Sequence, residues 1–148
     1  MRINVPAVTP TPMMLRIISR VHTFLYRVSG GRFTYSLLGR GMLLLTTKGR
    51  KTGRPYTTPL QYFKDGDDVV VVGSNAGNEK HADWWLNLLA NPEADAQVKR
   101  NTHRVRAEEV LGAERERLWP RLVEWYPGYG KYQERTTRRV PVVKLHIV

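Results

Sequence analysis

The sequence predicts an α+β chain: a compact six-stranded β-barrel with helices packed around it and an amphipathic helix at the N-terminus. Three observations carry this expectation. The β-prone runs come as meanders joined by short turns, not as alternating β-α-β units. The helical patterns are few, one ahead of the strands and two inserted late among them. No GxGxxG occurs, which argues against a doubly wound nucleotide-binding sheet. A small barrel closes the edges of such strands without long crossovers. With 148 residues, one folding unit with a real core is the expectation.

Residues 1–12 carry three prolines and no periodicity, and read as a flexible leader. From Met13 a helical pattern begins. Met14, Ile17, Ile18, Val21, Phe24 and Leu25 fall on one stripe, with Arg16, Arg20, His22 and Arg27 elsewhere on the wheel. Two readings fit: a helix laying its apolar stripe on the core, or a cationic helix resting on anionic lipid. Gly30 and Gly31 end the pattern. Arg32 to Gly41 reads as a loop, so residues 1–40 form a leader and helix, and 41–148 form the barrel domain.

The barrel opens with an apolar β-prone run from Met42 to Thr47, and a second run follows from Tyr56 to Phe63. Lys64 to Asp67 (KDGD) is a tight turn, with Asp-Gly as its signal, and Asp68 to Gly73 is a buried strand. Ser74 to Asn78 is a polar loop. A helix starts near Glu79 to Ala82, carries Trp84, Trp85, Leu88 and Leu89, and stops before Pro92. Ala94 to Arg100 and His103 to Val110 are two more strands around an Asn101-Thr102 turn. Glu114 to Trp125 is a helix with Pro120 inside it, a kink or a restart. Tyr126, Tyr129 and Tyr132 then recur around Gly128 and Gly130, as surface packing or as a wall facing a substrate. Val140 to Val148 closes the sheet, with Pro141 near its start, where proline is tolerated.

Charge is distributed unevenly. Residues 1–64 hold 11 Lys and Arg and no acid, while residues 65–148 hold 13 of each sign. The whole net charge of +11 therefore sits in the first part of the chain, which points to an anionic partner. Its densest point is the loop Lys48 to Arg54, with four cations, two glycines and no acid in seven residues. Strand, cationic turn, strand makes a cradle for an anion. Taken alone, the loop reads equally well as a solvated hairpin tip. Thr52, Thr57 and Thr58 add hydroxyl donors, and Pro59 interrupts the returning strand, which favours the cradle. The loop is not a Walker phosphate loop, because no Lys-Ser or Lys-Thr pair follows either glycine at the needed spacing.

Other chemistries find no footing. There is no cysteine, hence no thiolate nucleophile or zinc-thiolate site. His22, His81, His103 and His146 lack metal-ligand spacing, so no metal is expected. Ser36 and Ser74 lack a GxSxG setting. No helix-turn-helix, RRM or KH signature accompanies the basic segment, so no nucleic acid is expected. No run reaches membrane-span length, and Arg16 and Arg20 interrupt any signal-peptide core, so the expected location is cytoplasmic. If the chain is an enzyme, a bound cofactor carries its chemistry.

From Met42 to Val148 the motifs resemble those of the deazaflavin-dependent nitroreductase family of actinobacteria. They are LLLTTKGRKTGRPYTTPLQYF, VVVVGSNAGNEKHADWWLNLLANP, LWPRLVEWYPGYGKYQERTTRRVPVV and the closing strand, in that order. The resemblance implies a split, FMN-binding-like β-barrel that uses coenzyme F420. It implies that Lys48, Arg50, Lys51 and Arg54 meet the phosphate and oligoglutamate tail. Thr58, Pro59 and Leu60 would approach the deazaflavin ring. Ser74, Asn75, Gly77, Asn78 and Lys80 would line the other side, with Trp84 packing near the ring. Tyr126, Tyr129 and Tyr132 match tyrosines that wall the substrate pocket, with Tyr129 and Ser74 as donors to the acceptor oxygen. The implied reaction is hydride transfer from reduced F420 to a quinone or nitroaromatic.

Departures from the pattern are Ala76 where a second glycine is common, Asp83 where a proline is common, and Tyr56 and Thr58 in place of Arg and Asn. The alternatives are a protein that sequesters F420 without catalysis, an FMN-binding split barrel, or a nucleic-acid-binding module. The N-terminal helix would allow peripheral contact with the inner face of the membrane.

Overall fold

A computed structural model of the chain describes residues 10–29 and 41–148. Residues 1–9 of the expected leader, the Gly30–Gly31 stop and the expected loop up to Arg40 lie outside them. Four helices are described: α1 (Pro12–Ser29), α2 (Asp83–Ala90), α3 (Gly112–Trp125) and α4 (Gly128–Glu134). The strands are β1 (Met42–Lys48), β2 (Pro55–Gln61), β3 (Phe63–Asp65), β4 (Asp68–Val72), β5 (Glu93–Val98), β6 (Asn101–Glu109) and β7 (Val142–Ile147). They form one sheet in the order β2-β1-β5-β6-β7-β4-β3, antiparallel at every step.

The sheet is curled, and its connectivity shows why. β2 and β3 are the two edges of the sheet, yet only Tyr62 separates them. Six strand spacings would put flat edges roughly 29 Å apart, whereas two Cα steps span about 7 Å. The edges therefore meet at Tyr62, whose N–H donates to the Gly41 carbonyl at 3.0 Å. This corner corrects the expected count of six strands to seven. The run from Tyr56 to Phe63 changes ladder at Tyr62, pairing first with β1 and then with β4. Pro59 does not interrupt β2, because an edge strand leaves one side of its backbone unpaired.

Alternation sorts the apolar residues of each strand between cores. Leu43, Leu45, Val71, Val143 and Leu145 join Trp84, Trp85 and Leu88 of α2 inside the barrel. Val70, Val72 and Val142 face outward, onto Leu118 and Leu122 of α3 and Tyr129 of α4. Met42 and Leu44 face Tyr26 of α1. The β5–β6 turn falls at Lys99 and Arg100, two residues before the expected place, with Lys99 at φ 54°. Tyr26 fixes that turn: its Oη accepts from the Lys99 N–H at 2.6 Å and donates to the Met42 carbonyl at 3.0 Å.

Two helices depart from expectation. The tyrosine segment forms α4, although Gly128 and Gly130 lower its helix propensity. Burial of Tyr129 overrides that propensity. Gly130 also lets α4 approach α3, since a Cβ there would lie 3.3 Å from Val123. In α1 the apolar stripe is turned outward. Met13, Met14, Ile17, Ile18, Val21 and Phe24 are exposed, while Leu15, Ser19, His22, Thr23 and Leu25 are half-buried. The helix is held at its C-terminal end by Tyr26, 1% exposed, and not along its apolar face.

Candidate functional site

The cationic loop is a built hairpin tip. The β1–β2 ladder runs to the pair Lys48↔Pro55. Beyond it the Gly49 N–H donates to the Arg54 carbonyl at 2.7 Å, and the Gly53 N–H to the Gly49 carbonyl at 2.8 Å. Thr52 Oγ1 accepts from the Arg54 N–H at 3.2 Å and shares a hydrogen bond with Tyr56 Oη at 3.1 Å. Gly53 takes φ 70°, where a side chain would be strained. Lys48, Lys51 and Arg54 stand exposed on this frame. Among the described residues they form no salt bridge.

Arg50 is held differently. Its N–H and its Nη1 both donate to Asn87 Oδ1, at 3.1 and 2.9 Å. Its Nη2 meets Asp83 Oδ1 at 3.2 Å. Asn87 in turn donates from Nδ2 to Thr47 Oγ1 at 3.1 Å. The loop is thus docked on α2 through Arg50, and three of the four loop cations remain for an anion. Asn87 escaped the sequence reading, although its signal is plain afterwards: a lone amide in the apolar face of WWLNLL.

The polar loop after β4 is a tight left-handed turn. Asn75, Ala76 and Gly77 take φ of 46°, 53° and 77°. The Gly77 N–H donates to the Ser74 carbonyl at 2.9 Å, and the Asn78 N–H to the Asn75 carbonyl at 3.1 Å. Asn75 Nδ2 donates to the Lys80 carbonyl at 2.9 Å. Lys80 itself is exposed. Gly77 lies directly on α4, where a Cβ would come within 3.1 Å of the Tyr132 backbone. The turn and the tyrosine helix are therefore one packed unit.

The three tyrosines have different settings. Tyr129 is 6% exposed and packs edge-on against Tyr126, with ring centroids 4.8 Å apart. The hydroxyls of Tyr126 and Tyr132 lie 3.3 Å apart. Burial, and then the hydrogen bond to Tyr126, push the Tyr132 phenol up to about 12, so it is protonated and can donate at neutral pH. Trp84, 5% exposed, belongs to the barrel core, edge-to-face with Trp85. Thr58, Pro59 and Leu60 are half-buried on β2 opposite Leu45, Leu44 and Leu43.

α1 connects these parts. Asn78 Nδ2 donates to the Pro10 carbonyl at 3.5 Å. Arg16 reaches Asp83 at 3.7 Å. Arg27 Nη2 donates to Thr57 Oγ1 at 3.4 Å. The segment from Pro10 to Arg27 thus passes the left-handed turn, the start of α2 and then β2. Over that helical length the candidate residues extend about 25 Å.

The family model described as F420H(2)-dependent quinone reductase matches residues 18–146. The F420H(2)-dependent quinone reductase of Mycobacterium tuberculosis strain H37Rv is 38% identical over 130 residues, 85% of this chain and 87% of that protein. A solved F420-H2 dependent reductase superposes with a TM-score of 0.65 at 35% identity, over 72% of this chain and 95% of that one. A structure described as a domain-swapped dimer gives 0.67 at 32% identity, over 85% and 96%. On this sequence match and this split-barrel fold, the chain belongs to the F420H(2)-dependent quinone reductase family.

Proposed function

We propose that the chain is an oxidoreductase that passes a hydride from reduced coenzyme F420 to a quinone, and to electron-poor nitroaromatics by the same chemistry. The observation that carries this reading is the loop itself: three exposed cations, outside any salt bridge among the described residues, on a hydrogen-bonded hairpin tip whose own sequence holds no acid. That donor set fits a cofactor with a phosphate and several carboxylates along a tail. When bound, the reduced deazaflavin supplies the hydride.

The chain's own residues then have separable tasks. Lys48, Lys51 and Arg54 hold the anionic tail, with Arg able to grip a carboxylate or phosphate through two donors. Arg50 keeps the loop on α2. Thr58, Pro59 and Leu60 on one side, and Ser74, Asn75, Gly77, Asn78 and Lys80 on the other, flank the ring. Trp84 stiffens the barrel wall behind them. Tyr126 and Tyr132 present phenols to the acceptor oxygen as it gains charge, and Tyr129 supports them from the core; Ser74 is a second donor. The test is loss of reduced F420 in the presence of menadione. Turnover above the enzyme-free rate is expected. Tight binding without turnover would make the chain a cofactor carrier instead.

Residues 1–40 are read as leader and amphipathic helix, and 41–148 as the cofactor domain. The outward stripe of α1, flanked by Arg16, Arg20 and Arg27 and free of acids, supports peripheral contact with anionic lipid at the inner membrane face of the cytoplasm. A lipid-soluble quinone would be met there. No helix among the described residues is long and apolar enough to cross a membrane. Because Tyr26 is a core residue, the test leaves the helix in place: Ile17→Ser with Phe24→Ser should reduce pelleting with anionic vesicles. Unchanged pelleting would reject the contact.

A further inference from the structure

The left-handed turn at Asn75, Ala76 and Gly77 is a conformation that its sequence does not favour. Glycine adopts it readily and asparagine tolerates it, but Ala76 at φ 53° is disfavoured. Such a backbone persists only where its surroundings over-determine it. One side chain does most of this. Arg138 donates from Nη2 to the Ser74 carbonyl at 2.8 Å, from Nη1 to the Gly73 carbonyl at 3.3 Å, and from Nε to the Asn78 carbonyl at 2.9 Å. It therefore grips both ends of the turn at once. Its Nη1 also lies 3.3 Å from His81 Nδ1, an arrangement that suits a neutral imidazole accepting at that nitrogen.

Arg138 is itself anchored to the tyrosine helix. Gln133 donates from Nε2 to the Arg138 carbonyl at 2.8 Å and accepts at Oε1 from the Val140 N–H at 2.9 Å. One residue earlier, Thr137 donates its N–H and its hydroxyl to the two Glu79 oxygens, each at 3.0 Å. The planar fork of a guanidinium can serve three carbonyls in fixed directions, which the single ammonium of a lysine cannot reproduce.

We infer that Arg138 is a positioning residue: it holds the Ser74–Asn78 turn in the strained form that receives the cofactor and keeps that turn in register with the tyrosine helix. The cofactor half of this statement rests on the function proposed above; the clamp half does not. Arg138 touches backbone only at the turn's two ends, so it acts through the turn.

The test compares Arg138→Gln and Arg138→Lys, each with and without Ala76→Gly. Amide hydrogen exchange in the cofactor-free protein reads the clamp. Exchange at the Gly77 and Asn78 amides should rise by about tenfold or more in both single variants, with the amides of β1 and β4 unmoved. Tryptophan quenching by F420 reads the consequence. Affinity should fall about tenfold in Arg138→Gln and be largely restored by adding Ala76→Gly, which relieves the strain; alone, Ala76→Gly should do little. Unchanged exchange at Gly77 and Asn78, or an equal rise across the sheet, would overturn the clamp. A local rise without any loss of affinity would overturn its role toward the cofactor. If wild type failed to bind F420 while the exchange pattern appeared, the clamp would stand and the proposed function would fall.

Discussion

Replacing Asn87 by leucine should release the cationic loop from the barrel. Asn87 is 3% exposed and its amide makes three hydrogen bonds, two from Arg50 and one to Thr47. Leucine has the same branched arrangement of side-chain heavy atoms, so the bonds are lost without opening a cavity. Left behind are the Arg50 N–H, one guanidinium donor and the hydroxyl of Thr47, itself 1% exposed. A lost neutral hydrogen bond costs about 1 kcal/mol and one to a charged group about 1.5–3 kcal/mol. Part of this is recovered because Arg50 keeps Asp83 and the Thr47 hydroxyl can turn, so about 3 kcal/mol is expected in sum. For a chain of this size that lowers the melting temperature by roughly 6–12 °C. Asn87→Asp separates structure from charge. It keeps an acceptor for both Arg50 donors and lets the Thr47 hydroxyl donate instead, so the fold should hold. It also places a negative charge beneath the loop. Two like charges 8 Å apart repel by about 2 kcal/mol at an effective dielectric of 20, so F420 affinity should fall by about tenfold or more. Thermal unfolding and tryptophan quenching are the assays. A leucine variant that melts and binds like wild type would refute the docking role, and an aspartate variant with full affinity would refute an anion at this loop.

Lys51→Ala with Arg54→Ala should cost about a hundredfold in F420 affinity and flatten its salt dependence, because two charge-assisted contacts are removed; titration at several salt concentrations checks this. Tyr132→Phe should lower turnover with menadione by between about tenfold and a hundredfold while F420 affinity stays put. Tyr129→Phe should have the smaller effect and Tyr129→Ala should destabilise, since that ring is a core element; equal full activity in Tyr126→Phe, Tyr129→Phe and Tyr132→Phe would remove the hydroxyls from the reaction. Hydrogen bonds from Arg117 at 2.8 Å and Arg121 at 2.7 Å hold the Asp65 carboxyl down to about 2. The folded state therefore binds this proton less readily than the unfolded chain. The stabilisation is complete above about pH 4 and is lost as pH falls from there through about 2. Both arginines are half-exposed, so only about 1 kcal/mol is expected; urea unfolding of wild type and Asp65→Asn between pH 2 and 6 should converge at the acid end.

Periodicity and turn chemistry made most of the elements legible, because β1, β4 and β7 alternate between two cores and the turns at Gly53 and Gly66 carry a glycine, whereas the β5–β6 turn at Lys99 and Arg100 carries none and falls two residues before its expected place. The seventh strand was hidden because Tyr56 to Phe63 is one extended run in sequence. Only the ladder it pairs with changes at Tyr62, and pairing is a long-range property. The helix at Gly128–Glu134 was hidden because its glycines oppose helix locally while Tyr129 favours it through burial. The orientation of α1 could not be read at all, since the same stripe suits a core and a lipid surface. In the site, charge exposed the loop, but charge does not say which cation is free. Arg50 differs from Lys51 only through Asn87 and Asp83, 37 and 33 residues away. Arg138 looked like one more arginine in ERTTRR, because its partners are carbonyls contributed by another part of the chain.

The most direct measurement is a pair of titrations of the wild-type protein, with F420 and with FMN, followed by tryptophan fluorescence at low and moderate salt. Trp84 and Trp85 lie in the barrel core, against which Leu60 of β2 packs, and should report binding at the proposed ring site without any modification. A cation set built for a phosphate with several carboxylates should bind F420 at much lower concentration than FMN, whose single phosphate engages fewer charges, and should lose more affinity for F420 as salt rises. Equal or tighter binding of FMN, or F420 binding indifferent to salt, would contradict the assignment of the Lys48–Arg54 loop to the cofactor's anionic tail.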